Sequence, residues 1–529
     1  MYFETYKNSF AVDVLEYFGL IKFQENADRS SSTSWVDKDD SERGSKESAL
    51  VDELEKGEYG DPFLVEFRGP TDPEHPHNWS TIKRFVVVLN VMVLTCVTYM
   101  GTSFYTPGQD LIQNEFHVGH VVGTLNLSLY ILGFGLGPLV FGPLSEFVAF
   151  GRQRLFVVTL FLFAMLQIGC ALVRNIAGLV ILRFLSGIFC SPSLANGAAA
   201  VGDVVKPRHV PVVLGLWAIG ALIGPATGPL LGASMVVAKN WRYMFWLLMW
   251  ISSGTLISMV FFYPETNEDS ILYRRCQRIR KATGDNRYYT LKSKDEEKLT
   301  WKDVCVTTLY RPFEMIIKEP IVIALNTYHA VEYGVFYLFF EAFPIVFGNV
   351  YHFTVVELGL SYMGFCVGCF TAYGVAMIFS CWYAAKKIAN NTFTPETHLM
   401  LMIWICWTLP LSLFLFAWAA QVHWIIPMVC EVIFIIGQFN IFQSVFSYMA
   451  MSYPKYMASA FAGNNLCRSG FACAFPLFGK AMYDNLAIDG YPVGWGSSLV
   501  GFICLGLSLV PFVLYKYGAY LRSKSQFAG

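Results

Sequence analysis

Charge is scarce in this chain: Asp, Glu, Lys and Arg together make up 15% of its 529 residues. A soluble domain carries about 25%, so a fully water-facing shell is excluded. The signs nearly cancel, with 38 Lys and Arg against 39 Asp and Glu. Nothing in that balance points to a nucleic-acid partner, which calls for a basic face. No G-x-x-x-x-G-K-[ST] phosphate loop occurs, which leaves an ATP-driven pump without its cradle. No metal-ligand cluster or nucleophile triad spacing stands out, so neither a cofactor, a metal nor an enzymatic activity is expected. The 13 cysteines fall almost wholly in apolar runs and read as small packing residues rather than a disulfide framework. Cys366 and Cys369 have redox-motif spacing but lie in an apolar mid-helix context. No basic cluster followed by an uninterrupted apolar core opens the chain, so no cleavable leader is expected.

What is abundant is apolar surface, 55% hydrophobic and 16% aromatic residues with mean hydropathy +0.45. A membrane span needs about 20 such residues. Twelve stretches qualify, near 85–105, 120–141, 155–173, 178–201, 210–237 and 243–263, then 320–347, 358–383, 399–420, 424–449, 457–478 and 494–515. The fold expected is an all-α membrane protein of two six-helix halves. Residues 1–84 form a tail, partly disordered; 85–263 the first half; 264–318 a charged central loop; 319–516 the second half; and 517–529 a short tail. Six spans, a loop and six more is the organisation of a duplicated transporter. With both ends placed in the cytosol, the outer loops carry only Arg174, Lys239, Arg242 and Lys480, and the other loop cations fall inside, as the positive-inside rule requires. Asn78 and Asn390 then lie in cytosolic sequons and Asn126 in a span, so no N-glycan is expected. Arg274, Arg275, Arg278 and Arg280 of the central loop fit either an interfacial helix on anionic lipid or a solvated loop.

The fifth span contains Gly220, Gly224, Gly228 and Gly232 at every fourth position, a face without side chains into which another helix can press its backbone. Pro225 and Pro229 each remove a main-chain donor, a loss that neighbouring helices can make good in a membrane. A small-residue packing face would suffice to explain this pattern. It also resembles the antiporter motif, G-x-x-x-G-P-x-x-G, of drug exporters in the major facilitator superfamily, with Pro229 as a departure.

Other stretches carry the same resemblance. Gly142-Pro143-Leu144-Ser145-Glu146 with Gly151-Arg152-Gln153-Arg154 is similar to that family's loop between helices two and three, which implies gating roles for Glu146 and Arg152. Arg183 is the sole Lys or Arg in the first six spans and costs about 2.5–3.5 kcal/mol at a helix centre, so a partner or a watery cavity is expected for it. With Ser186 and Gly187 it resembles the fourth-helix motif whose arginine is implicated in proton coupling; snorkelling or capping of a neighbouring helix is the plainer account. Asp203 matches a family acid and implies a further gating role. Trp241-Arg242-Tyr243 resembles the family's entry to the sixth span and reads as structural, and Pro264-Glu265-Thr266 closes that span and looks similarly familial.

In the second half, Glu332 and Glu341 lie nine residues apart and so on opposite faces of the seventh span. Each needs its own partner, and with Glu431 they are candidate proton carriers; Glu341 is equally an interface residue near the outer end. Tyr328, Tyr333, Phe336 and Tyr337, with Glu341, Asn464 and Asn465, are candidates to line a cavity for flat, lipophilic or cationic compounds. Helix-helix hydrogen bonds and lipid-facing rings are the alternatives. Motifs such as "TYMGTSFYTPGQ" and "YPVGWGSSLVGF" extend the resemblance to fungal twelve-span drug:proton antiporters over nearly the whole chain. It implies a monomer, driven by the proton gradient, that exports azoles and other small toxins across the plasma membrane by alternating access. Export of a physiological solute such as a polyamine, or a non-transporting sensor on the same scaffold, are the alternatives.

Overall fold

The computed structural model describes residues 7–17, 63–69, 72–206, 209–298, 306 and 310–527. The Ser- and acid-rich stretch 18–62, where disorder is expected, lies outside them. Helices dominate because an apolar segment in lipid must satisfy its own backbone, and helical hydrogen bonding does so within one segment. The first-half spans are α1 (Thr81–Ser103), α2 (His120–Glu146), α3 (Gly151–Leu172), α4 (Ile176–Val204), α5 (Val210–Ala238) and α6 (Arg242–Phe262). The second-half spans are α7 (Pro320–Val350), α8 (Val355–Ala389), α9 (Glu396–Ala419), α10 (Ile425–Ser452), α11 (Met457–Leu486) and α12 (Gly494–Lys524). Local chemistry sets several starts. Ser80 caps α1 through Lys83 N–H, Asn175 caps α4 through Gly178 N–H, and Thr354 with Glu357 forms a capping box on α8. Within α4 the helix is interrupted after Cys190, where Pro192 cannot donate, makes a single turn over Pro192–Ala195, and resumes at Gly197.

Eleven of these helices are long and apolar enough to cross a membrane. The remaining one, α11, has the length, 30 residues, but spends its middle on Asn464, Asn465, Arg468 and Ser469, all buried. It is polar because it sits between the halves: α11 packs on α7 of its own half and on α2 of the other. The second contact between halves joins α5 to α8. Adding six to each helix number exchanges the two contacts, α2–α11 and α5–α8. The repeat that is weak in sequence is therefore plain in packing.

The charged central loop holds a helix, Glu268–Thr283. Three of its four arginines meet neither expectation, and the fourth, Arg280, is half-buried and donates to the Tyr288 carbonyl at 2.7 Å. Arg274, Arg275 and Arg278 are each at least nine-tenths buried and face protein carboxylates rather than lipid or water. The described N-terminal pieces, which include the helix Phe10–Tyr17, supply the acids.

Candidate functional site

The glycine face of α5 docks on α1 in register. A methyl group at Gly220, Gly224, Gly228 or Gly232 would strike Met92, the Cys96 carbonyl, Ser103 or the Phe104 carbonyl in turn. The α1 carbonyls met by the four glycines, those of Met92, Cys96, Met100 and Phe104, advance four residues at each step just as the glycines do, so the helices run parallel with their backbones in contact. Pro229 has no N–H for the Pro225 carbonyl, and the Ser103 hydroxyl donates to that carbonyl from α1 at 2.8 Å. The membrane penalty of one proline is thus met by a neighbouring side chain.

Arg183 of α4 is completely buried. Its guanidinium donates to three main-chain carbonyls, Gly101 at 2.8 Å, Asn126 at 3.1 Å and Thr102 at 3.3 Å, and lies 4.3 Å from the Tyr130 ring centre. The partner expected from burial exists, but it is a nest of carbonyls and a π face. Among the described residues no carboxylate pairs with Arg183, so an exchange of acid partners is not present in this conformation.

At the centre, α1, α4, α5, α7, α10 and α11 enclose a cavity of about 40 Å³ whose lining includes Tyr99, Trp217, His329, Tyr333, Gln438 and Arg468. Its size admits ordered water and not a drug-sized molecule, which needs roughly 300 Å³ or more. Of the residues proposed from sequence to line it, Tyr333 does so. Tyr337 lies beside Tyr333, with its hydroxyl 3.4 Å away, and Phe336 packs on Phe365 of α8. Asn464 ties α11 to α7, its amide oxygen accepting from His329 Nδ1 at 2.9 Å and its amide nitrogen donating to Asn326 at 2.8 Å. Asn465 bridges the halves, donating to the Gly135 carbonyl at 3.3 Å and accepting from Arg468 at 2.6 Å. Tyr328 faces Ser508 and Cys504 of α12 instead, away from the cavity. Tyr99, Trp217 and Gln438 were not singled out by sequence reasoning. Gln438, a lone amide in an apolar run of α10, was the available signal.

The acids separate as the helical arithmetic requires. Neither oxygen of Glu332 has a hydrogen-bond partner among the described residues, and the side chain is 1% exposed. Glu431, fully buried, lies against Gly364 of α8 and makes no ion pair among the described residues. Glu341 is elsewhere, at the far end of α7, where it meets His120 of α2 at 3.3 Å. That contact joins the two halves at the rim opposite the chain ends.

At the face bearing the chain ends, Glu146, Arg152 and Asp203 line one open polar recess of about 370 Å³. Arg152 pairs with Asp203 at 2.6 Å, while Glu146 is exposed within the recess. The organiser of this end is Glu265, read from sequence as merely closing the sixth span. It is fully buried and accepts from the Arg152, Gln153, Thr266 and Asn267 main-chain N–H groups and from Arg274 at 3.0 Å. Four of those donors sit at helix or turn starts, where a carboxylate is well placed. Arg274 reaches on to Asp13 at 2.9 Å, Arg278 to Glu16 at 3.2 Å and Arg275 to Asp72 at 2.8 Å. Burial alone would raise the Asp72 carboxyl, but hydrogen bonds from Arg275 and from the Arg68 and Glu74 main chains outweigh it and hold the pKa below its usual value.

His75, His77 and Glu268 bring their ligand atoms within 4.8 Å of one another. They do not fit a metal. His75 Nδ1 accepts the His77 main-chain N–H at 3.2 Å, which leaves its proton on Nε2, the atom 3.4 Å from Glu268. A metal on Nε2 would force that proton onto Nδ1, against the His77 donor.

Two six-helix halves meeting around a closed central cavity, with the Arg152–Asp203 ion pair at one mouth and the His120–Glu341 contact at the other, define a secondary transporter of the alternating-access kind. Residues 91–476 match the model of the Major Facilitator Superfamily, and the chain belongs to that family. It is 54% identical to "Fluconazole resistance protein 1" of Saccharomyces cerevisiae over 100% of this chain and 99% of that one. It is 60% identical to "Multidrug transporter FLR1" of Candida glabrata over 88% and 84% of the two chains, and 38% identical to "Cycloheximide resistance protein" of Candida maltosa over 88% and 86%. Among solved structures, the xylose transporter XylE of E. coli in a partially occluded inward-open conformation superposes with TM-score 0.56 at 12% identity, covering 83% of this chain and 98% of that one. At that identity the likeness is one of fold.

Proposed function

We propose that this protein is a drug:proton antiporter of the plasma membrane, with both chain ends in the cytosol and a single chain as its working unit. The relatives named for multidrug transport and for resistance to fluconazole and cycloheximide supply the cargo class. The observation that carries the coupling is Glu332: a carboxyl buried without a hydrogen-bond partner among the described residues, one helical turn from the cavity residue His329 and within electrostatic reach of Arg468. Such a group is neutral when protonated and costly when charged, so loading and unloading its proton biases the cavity between its two accessible states. Glu431 offers a second such site against α8, and Arg183 holds the α1–α2–α4 contact that must flex. Glu146, Arg152 and Asp203, clamped through Glu265, act as the inner gate.

One proton moving down about 100 mV and about 1 pH unit supplies ~3.7 kcal/mol, enough to sustain a gradient of a few hundred-fold. The test is reconstitution into liposomes with an imposed pH gradient and a neutral triazole as cargo. Uptake that collapses with an uncoupler, and that Glu332→Gln converts to gradient-independent exchange, is the expected result. Gradient-driven uptake undiminished in Glu332→Gln would remove the coupling assignment, and no uptake by the native chain would remove the exporter reading.

A further inference from the structure

The central cavity holds a cation and no acid. Arg468 is 2% exposed, lines the cavity and pairs with no carboxylate among the described residues. Its Nη2 is held by the Asn465 side chain at 2.6 Å, while its Nε has no hydrogen-bond partner among them. The guanidinium carbon lies 4.3 Å from the centre of the Tyr333 ring and 5.6 Å from that of Phe442. These two aromatic faces, the natural seat for a cationic compound, are already taken by the protein's own cation. The expectation from sequence that aromatic crowding suits cationic cargo is therefore turned around by what the rings face.

Resting on the exporter reading above, we propose that Arg468 is the cargo-selecting residue. Once the transport cycle opens the cavity beyond its volume in this closed conformation, Arg468 makes it a site for uncharged or anionic molecules that present a hydrogen-bond acceptor beside an aromatic ring, such as a heteroaromatic nitrogen or a carbonyl, and it excludes permanent cations. The free Nε donor and the fixed positive charge are what such an acceptor requires. His329, Gln438 and the Tyr99 hydroxyl, which faces the guanidinium, place further polar groups around it, and Trp217 supplies an apolar wall. A bound cation would sit within about 5 Å of the guanidinium, and at an effective dielectric of about 20 that repulsion discriminates by ~10²-fold. Glu332 does not rescue it, because it lies outside the lining, and its own protonation is tied to the cycle. A polyamine, several charges on a flexible chain, is the least suited cargo of all.

Two probes in the liposome assay decide this: a neutral triazole and tetraphenylphosphonium, each also measured as a competitor for binding to purified protein. The native chain should move the triazole at least tenfold better than the cation. Arg468→Gln should lose at least tenfold in triazole affinity and gain cation binding. Arg468→Lys, which keeps the charge without the planar fork, should still exclude the cation while binding the triazole more weakly. Gel-filtration profile and surface expression check that each variant folds. If the native chain moves both probes equally, or if Arg468→Gln weakens both alike, charge selection by Arg468 is refuted and the exporter reading stands. If the native chain moves neither probe, the exporter reading falls with it.

Discussion

Replacing Gly224 by alanine places a methyl carbon 2.9 Å from the Met100 nitrogen and 3.0 Å from Tyr99 Cβ, with the Cys96 carbonyl nearer still. Ordinary contacts begin about 3.4 Å, and two of the three atoms are backbone, so no rotamer change relieves the clash. α1 and α5 must separate by several tenths of an ångström or more along a seam built for direct backbone contact. Overpacking of this kind costs about 1–3 kcal/mol. Tyr99 and Ala221 line the cavity from the two sides of that seam, so the displacement also reaches the cargo site. Gly232→Ala, which meets the Phe104 carbonyl at 2.7 Å, ranks next. Gly220→Ala comes after it, since its first contact is the Met92 side chain, which can turn aside. Gly254→Ala in α6 meets nothing within 4 Å and serves as the control. Thermal unfolding in detergent, followed by triazole transport at matched protein levels, should give the order Gly224, Gly232, Gly220, Gly254 from most to least damaged. A Gly224→Ala protein that melts and transports like the native chain would refute the direct backbone seam.

Two further perturbations separate local causes. Ser103→Ala removes the donor to the Pro225 carbonyl and leaves a buried acceptor unpaired, at a cost of about 1–3 kcal/mol; an unchanged melting profile would show that the proline is accommodated in another way. Asp72→Asn breaks the pair with Arg275. Because the folded pKa of Asp72 is depressed, its contribution is present above the usual carboxylate value of about 4 and is lost as the pH falls through the folded value. The mutant should therefore melt below the native protein at pH 7 and approach it only under strong acid, and a gap that widened on acidification would contradict that sign.

The span count, the two-half organisation and the glycine seam were all legible because each rests on local periodicity: a run of about 20 apolar residues, or glycine at every fourth position. Arg183, Glu332 and Glu431 were legible for a related reason, since an ionisable group in lipid stands out against its background. Their partners were not. Nothing along the chain shows that Arg183 closes on the carbonyls of α1 and α2, residues 57 to 82 positions away. Glu265 was undervalued because a carboxylate at the end of a span looks like a solvated cap, and only tertiary structure buries it under Arg274. The same long reach hid the role of Asp13, Glu16 and Asp72, which lie in the tail before the first span while their partners Arg274, Arg278 and Arg275 lie in the central loop. Tyr99 and Trp217 sat in helices full of aromatic and apolar residues, where composition gives no means of telling a cavity wall from a lipid-facing surface.

The polar middle of α11 has a consequence for how the chain is made. A ribosome-fed segment with an arginine near its centre starts about 2.5–3.5 kcal/mol behind a plain apolar one when lipid and water compete for it. Its amides Asn464 and Asn465 add to that deficit until they find acceptors. Their partners, His329 as donor and the Asn326 side chain as acceptor on α7 and the Gly135 carbonyl as acceptor on α2, belong to segments that emerge far earlier in synthesis. Membrane retention of this late helix thus depends on earlier ones waiting beside the exit channel, and the last steps of biogenesis double as a check that both halves have already assembled.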